Sequence, residues 1–358
     1  MSAMRETEPW KFLDAYRGRI FTSKWPTIPQ LFDITTDRFA DRACFTIYTP
    51  DRVSLNYGEP REIILRAASY LASIGLGPGS HIAVTGKNSP EWAVAYIAVL
   101  YAGAVVVPID YQLSTQEIMA LIDAGDVTAA FIDEEKYDDI KKGRAGMPCF
   151  GLARSMETFV YDLEPPQGFA FSPPQVEVQS TAAILFTSGT TGDPKGVMLS
   201  HENLVSDCFL AQANLNISEQ DIFYALLPIH HSYTMLAVFI ESFSVGVETV
   251  FGKRMIVKQI LSPLKAAKIT MFLGVPMVFN KLLSGILKGV REKGALAYGL
   301  IRTLMAISGF IKKTFGVNPG RTFFGSILEK ASLSSIRICI SGGGPLDPKV
   351  FRQYNQLG

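Results

Sequence analysis

Cysteine and net charge are both scarce in this 358-residue sequence, and each shortage excludes a class of protein. The cysteines lie far apart and share no metal-ligand spacing, so we expect small buried residues in a reducing cytoplasm, not a disulfide framework or a zinc site. The formal net charge of +1 gives the chain no overall attraction for nucleic acid. The four cysteines are Cys44, Cys149, Cys208 and Cys339.

Long apolar runs are also few. Residues 1–21 contain no run of the signal-peptide type, which predicts a cytoplasmic location. The stretch from Trp92 to Ile109 approaches the length of a membrane span, but Gly103 and Pro108 interrupt it. We interpret it as a buried helix that ends near Gly103 and is followed by a short strand.

What the sequence does have is a regular alternation of short Val/Ile-rich runs with amphipathic helices. This alternation predicts an α/β fold, a layered sandwich of mainly parallel sheets with helices on both faces. The expected strands are 82–85, 104–109, 128–132, 182–186, 221–226, 248–251, 270–273 and 336–340, and the expected helices are 90–102, 115–123 and one that begins at Glu202.

A polar loop after the strand that ends at Phe186 carries the clearest functional signal. Its glycines allow the backbone N–H groups to approach a phosphate, its hydroxyls can donate hydrogen bonds or reach a metal ion, and Lys195 adds a positive charge. The loop therefore predicts a polyphosphate site. It reads Thr187-Ser188-Gly189-Thr190-Thr191-Gly192-Asp193-Pro194-Lys195-Gly196.

Two common phosphate-binding motifs do not describe this loop. A Walker loop needs Gly-Lys-Ser/Thr, whereas Gly192 is followed here by Asp193 and Pro194. A dinucleotide fingerprint needs G-x-G-x-x-G at the start of a helix, and that spacing is not present.

The loop instead closely resembles the signature of the adenylate-forming superfamily, which includes acyl- and aryl-CoA synthetases, luciferases and peptide-synthetase adenylation domains. The resemblance extends from about Asn56 to the last residue. Further segments that resemble the superfamily are Val197-Met198-Leu199-Ser200-His201-Glu202-Asn203-Leu204, Tyr101-Ala102-Gly103 with Val107-Pro108-Ile109-Asp110, Leu227-Pro228-Ile229-His230-His231 and Ser341-Gly342-Gly343-Gly344-Pro345-Leu346.

The resemblance implies that a carboxylic acid is activated with ATP and Mg²⁺ and then transferred to CoA. Residues Thr187 to Lys195 would hold the β- and γ-phosphates, with Thr187 near the metal ion. The run Gly342, Gly343 and Gly344 would flank adenine, and His231 would position the acyl carboxylate. Lys195 and His231 are therefore the candidate catalytic residues. Taken alone, His231 could equally be a core histidine, and the glycine run could be a tight turn.

The segment from Lys281 to Arg321 combines eight basic residues and one acidic residue with many apolar ones. It resembles an insert of bacterial long-chain fatty acid–CoA ligases, which implies a medium- to long-chain fatty acid substrate. As a basic amphipathic helix pair it would suit peripheral contact with the inner face of an anionic membrane. The alternative is a solvated basic face over an apolar side packed on the sheet.

The sequence ends at Gly358, shortly after the glycine run, and the resemblance implies that a Mg²⁺-binding glutamate, a ribose-binding aspartate and a C-terminal domain are absent. We therefore expect 1–358 to be an incomplete N-terminal adenylation domain, with approximate subdomains 45–200 and 201–358 and the C-terminal domain as its natural partner. Alone, it is expected to make no acyl-CoA and to self-associate.

Two other functions stay open from the sequence. The chain could be a catalytically silent ATP- or lipid-binding module, or it could adenylate another carboxylic acid. An amino acid substrate is the weaker form of the second option, because Asp221, at a strand start, is the sole acid near the acyl region.

Overall fold

The computed structural model describes residues 25–187, 194–252 and 263–358. Among these residues the chain forms two compact units, one of residues 25–221 with 228–252 and the other of residues 222–227 with 263–358. The subdomain boundaries expected from the sequence, 45–200 and 201–358, stay a prediction.

The main sheet of the first unit has six strands and is parallel except at one edge. The strands run in the order β6-β5-β3-β4-β7-β8, and only the last pair, β7 and β8, is antiparallel. Their bounds are β3 His81–Thr85, β4 Val105–Ile109, β5 Val127–Ile132, β6 Cys149–Gly151, β7 Thr181–Thr187 and β8 Lys195–Ser200.

Three further strands of the first unit pair with one another. Strand β1 (Ala43–Ile47) is parallel to β10 (Glu248–Phe251) and antiparallel to β2 (Val53–Asn56). The helices of this unit are α1 Ile28–Phe39, α2 Gly58–Ser73, α3 Pro90–Tyr101, α4 Thr115–Ala124, α5 Glu134–Gly143, α6 His201–Asn214 and α7 Ser232–Val245.

Helix α3 explains the long apolar stretch of the sequence. It begins at Pro90 after Ser89, whose hydroxyl accepts a hydrogen bond from the Trp92 amide at 3.1 Å. Apart from Glu91, every residue of the helix is buried, so its apolar character all round reflects a core position. Strand β4 follows directly, which confirms the predicted helix and strand.

The second unit contains three parallel strands, with β11 (Met271–Gly274) between β9 (Ile222–Ala225) and β12 (Ile338–Ser341). Its helices are α8 Pro276–Arg291, α9 Ala295–Phe315, α10 Gly320–Lys330 and α11 Pro348–Leu357. A small core joins them through Leu283, Met305, Phe324 and Leu357. The α/β class and the mainly parallel pairing predicted from the sequence are confirmed.

Two expectations need correction. Between the polar loop and the helix expected from Glu202 lies an additional strand, β8. The helix itself, α6, starts at His201, because Ser200 and Asn203 form a capping box. Of the four cysteines, Cys339 is exposed, and it lies on β12, one of the two outer strands among the three of its unit.

Candidate active site

The predicted phosphate loop connects two antiparallel strands of the main sheet. Strand β7 ends at Thr187 and β8 begins at Lys195, and these two residues are register partners across the ladder. Both side chains are exposed, so a hydroxyl and an ammonium group lie side by side at the loop end of the hairpin. Ser188, Gly189, Thr190, Thr191 and Gly192 lie outside the described residues, and their predicted contacts with phosphate stay predictions.

The end of β7 lies beside the end of another parallel strand. Strands β4 and β7 are paired through Val106 and Ala183 and run in the same direction. Thr187 closes β7, and Asp110 directly follows the last residue of β4, so both are at the carboxyl edge of the sheet. In open α/β sheets this edge is where ligands bind.

Two adjacent histidines complete a polar cluster at this edge. One ligand atom each from Asp110, His230 and His231 lies within 4.8 Å of the others. The His230 Nε2 atom is 3.6 Å from the Asp110 carboxylate, and the two imidazole rings are 4.4 Å apart between centroids. His230 is buried, whereas His231 is exposed. The structure therefore brings the sequence-predicted His231 to the sheet edge that carries Thr187.

Hydrogen bonds to the backbone hold the histidine pair in place. The Asn88 side-chain oxygen accepts a hydrogen bond from the Ile229 amide at 3.0 Å, and both groups are buried. The His231 carbonyl accepts a hydrogen bond from the Met235 amide at 2.8 Å, which starts helix α7. A π-helical stretch, Met235–Ile240, follows within α7, and such stretches are frequent near functional sites.

The surroundings set the charges of the cluster. Burial alone would raise the pKa of Asp110, but contact with His230 and the hydrogen bond from the Gln112 amide bring that pKa below its ordinary value. Burial, followed by the nearby His230, lowers the pKa of His231. At neutral pH the cluster therefore presents an ionised carboxylate next to a neutral His231 imidazole.

The glycine run belongs to the second unit. It follows β12, and the Gly342 amide donates a hydrogen bond to the Gly274 carbonyl at 3.1 Å. Gly343 has φ +74°, in the left-handed region, and a Cβ there would lie 3.5 Å from Val275. The run is therefore a tight turn against the segment between β11 and α8. The predicted role of Gly342, Gly343 and Gly344 beside adenine stays a prediction.

Sequence reasoning did not single out Asp110, His230 or Asn88 as members of a site. One signal for Asp110 was available, since an acidic residue directly after a parallel strand lies at the ligand-binding edge. The positions of His230 and Asn88 depend on contacts that join residues 141 positions apart, which no local pattern reveals.

Comparison with known proteins agrees with this architecture. Residues 32–358 match the family described as AMP-binding enzyme. Long chain acyl-CoA synthetase 4 of Arabidopsis thaliana is 26% identical over 319 residues, which are 81% of this chain and 48% of the relative. The chain thus spans about half the length of the curated relatives it matches.

Solved structures share the fold. The crystal structure of a long-chain-fatty-acid-CoA ligase (FadD1) from Archaeoglobus fulgidus superposes with a TM-score of 0.71 at 19% identity, covering 93% of this chain and 61% of the other. ATP-bound MatB from Rhodopseudomonas palustris gives a TM-score of 0.67 at 23% identity, with coverages of 92% and 57%.

The α/β fold, and the strand pair on either side of the hydroxyl- and glycine-rich sequence 187–196, are those of the adenylate-forming superfamily. The chain belongs to the AMP-binding enzyme family.

Proposed function

We propose that this chain supplies the ATP- and acyl-binding part of a fatty acid–CoA ligase. The observation that carries the proposal is the hairpin of β7 and β8, which sets Thr187 opposite Lys195 at the carboxyl edge, beside Asp110 and the two histidines. The long-chain acyl-CoA synthetases among the relatives and the ATP in the bound MatB structure support it.

In the proposed first step, a fatty carboxylate attacks the α-phosphorus of ATP and pyrophosphate leaves. The carboxylate is already ionised at neutral pH, so the reaction needs alignment and charge neutralisation but no general base. In the second step, the thiol of CoA displaces AMP from the acyl-adenylate, with loss of the thiol proton to solvent.

The described residues can meet parts of this requirement. The Lys195 ammonium would neutralise charge on the phosphates, and the Thr187 hydroxyl would face Mg²⁺, which supplies further neutralisation when bound. The exposed His231 imidazole is neutral because its pKa is lowered. It would donate a hydrogen bond to the acyl carboxylate without neutralising the negative charge of that group. These roles fit two exposed polar groups at a hairpin end and one exposed ring at the same sheet edge.

Peripheral membrane contact through 281–321 is part of the same proposal. Among the described residues, α9 is the one helix long and apolar enough by composition to cross a membrane. We propose that it lies on an anionic bilayer surface, because the exposed residues Arg302 and Lys313 lie three turns apart on one side of it. A stripe of exposed apolar residues, the α9 stripe, lies beside them and consists of Leu296, Leu300, Ile307 and Phe310.

ATP–pyrophosphate exchange with a panel of fatty acids tests the enzymatic proposal. It should be run on the 358-residue chain and on a version extended by the C-terminal part of a fatty acid–CoA ligase. We expect exchange in the extended protein, strongest with long acids. ATP binding without exchange in either protein would favour a silent binding module, and exchange with short or amino acids alone would favour a different carboxylic acid.

A further inference from the structure

The cluster of Asp110, His230 and His231 contains two groups, Asp110 and His230, to which the proposed adenylation assigns no role. It provides one carboxylate oxygen and two imidazole nitrogens within 4.8 Å of one another. The ligation of ATP and Mg²⁺ calls for oxygen ligands, whereas paired imidazoles with a carboxylate are typical ligands of zinc and similar ions.

His230 gives an independent indication of a ligand. Its side chain is only 6% exposed, and its Nε2 atom has no hydrogen-bond partner among the described residues. At 3.6 Å from the Asp110 carboxylate, this nitrogen is just beyond hydrogen-bond length. Buried polar atoms almost always have a partner, so an unpartnered one in a cluster of metal-ligating groups calls for an explanation.

We propose that Asp110, His230 and His231 form a binding site for a divalent transition metal ion of the Zn²⁺ class. An ion placed between His230 Nε2 and the Asp110 carboxylate satisfies the buried nitrogen and the negative charge together. His231 supplies the third ligand, and the fourth position of a tetrahedral ion faces solvent.

The geometry requires a small closure of the cluster. Zinc–ligand distances of ~2.0–2.2 Å place the ligands of a tetrahedral ion roughly 3.3 Å apart. The His230–Asp110 separation of 3.6 Å is already close to that spacing. Judged against the same tetrahedral spacing, the widest pair must approach by at most about 1.5 Å, and the exposed His231 and the partly exposed Asp110 can rotate to achieve this.

One consequence of the site rests on the proposed function: a metal ion and an acyl carboxylate would compete for His231.

The experiment can follow every imidazole ring at once, because the chain contains only four histidines. They are His81, His201, His230 and His231. Zn²⁺ is titrated into the metal-free full chain, and histidine-selective NMR follows all four rings, with Mg²⁺ as the control ion. A parallel titration follows the visible absorption of bound Co²⁺. We expect one ion per chain, with shifts at His230 and His231 only and none with Mg²⁺.

Variants identify the ligands. His231→Gln, at an exposed position, should weaken Zn²⁺ binding by at least ~10–100-fold, the loss typical of removing even an outer partner of a metal site. Asp110→Asn should act in the same direction. His81→Asn and Cys339→Ser, outside the cluster, should leave the affinity unchanged.

Equal shifts of His81 or His201, or a Co²⁺ spectrum that is unchanged in His231→Gln, would overturn the proposal. Because these readouts need neither ATP nor turnover, they remain informative if the ligase assignment fails. Conversely, a chain that exchanges pyrophosphate but binds no Zn²⁺ would leave the ligase assignment intact and remove the metal site alone.

Discussion

Thr187 and Lys195 are register partners across the antiparallel pair β7–β8, although seven residues separate them in the chain. This pairing holds a hydroxyl and a positive charge together at one end of the predicted phosphate loop. A substrate phosphate at that end would contact both groups without any rearrangement of the strands, which is the preorganisation that charge stabilisation requires.

Removal of the Lys195 charge should therefore impair ATP use. In the extended, exchange-competent protein, we expect Lys195→Ala to slow ATP–pyrophosphate exchange by roughly 10²–10³-fold, the usual loss for one charge-stabilising contact. Lys195→Arg should recover part of the rate because it keeps the charge. Lys142→Ala, an exposed lysine at the end of α5, is the matched control. Equal rates for the two alanine variants would contradict the assigned role.

A buried carboxyl group in α7 should make stability depend on pH. Glu241 is only 2% exposed, and its Oε1 atom has no hydrogen-bond partner among the described residues. Burial raises the pKa of Glu241 to about 8. The folded state binds the Glu241 proton more tightly than the unfolded state does. The contribution of this proton binding to folded-state stability is therefore fully present below about pH 4.3, the ordinary glutamate pKa. It is lost as the pH rises to about 8.

The variant Glu241→Gln mimics the protonated form and should remove this dependence. Above pH 8, we expect its free energy of unfolding to exceed that of the parent by a few kcal/mol. The parent loses about 1.4 kcal/mol for each pH unit between the ordinary glutamate pKa and the raised pKa of Glu241. Urea unfolding from pH 5 to 9 measures the difference between the two proteins. Glu157→Gln, at an exposed loop position, should show no such trend. A pH-independent difference for Glu241→Gln would refute the buried-acid explanation.

Gly246 should resist substitution because it ends α7 with φ +86°, in the left-handed region. A Cβ at this position would lie 2.3 Å from the Phe39 ring. Gly246→Ala is expected to lower the free energy of unfolding by roughly 2–4 kcal/mol, from backbone strain together with overpacking.

Gly299 in α9 is the matched control. A Cβ there meets no atom within 4 Å in the described structure. Gly299→Ala should therefore be neutral or stabilise by up to about 1 kcal/mol through helix propensity. Thermal melts of both variants test the contrast, and similar melting temperatures would count against it.

Vesicle binding tests the membrane proposal for the α9 stripe. Leu300→Asp or Phe310→Asp should reduce partitioning onto vesicles that contain anionic lipid by at least about 10-fold each, because burial of such a side chain contributes ~1.5–3 kcal/mol. Leu210→Asp is the matched control, because it makes the same substitution at an exposed leucine on α6. It should have little effect on vesicle binding.

Salt distinguishes the mode of contact. A helix lying on the surface should be released by high salt, since its basic residues act through screened charges. A spanning helix would stay with the vesicles. Retention in high salt, or equal binding to neutral and anionic vesicles, would disprove the peripheral contact.

The sequence by itself determined the class of fold. Val/Ile-rich runs such as β4, and a helix such as α3 that is apolar on every face, have one common explanation, a parallel sheet buried under helices. Ser114 and Glu117 form the capping box at the start of α4, a local pattern that requires no tertiary contact. The superfamily also followed from the sequence, because the loop after Phe186 is a contiguous motif.

The tertiary structure decided what local patterns do not encode. Strand β8 has mostly exposed side chains, so it lacks the alternation that marks a half-buried strand, and only its pairing with β7 creates it. The approach of His230 to Asp110 joins residues 120 positions apart. The raised pKa of Glu241 likewise results from burial by the surrounding elements. Motif identity is a property of neighbours in the chain, whereas burial and charge contacts arise between neighbours in space.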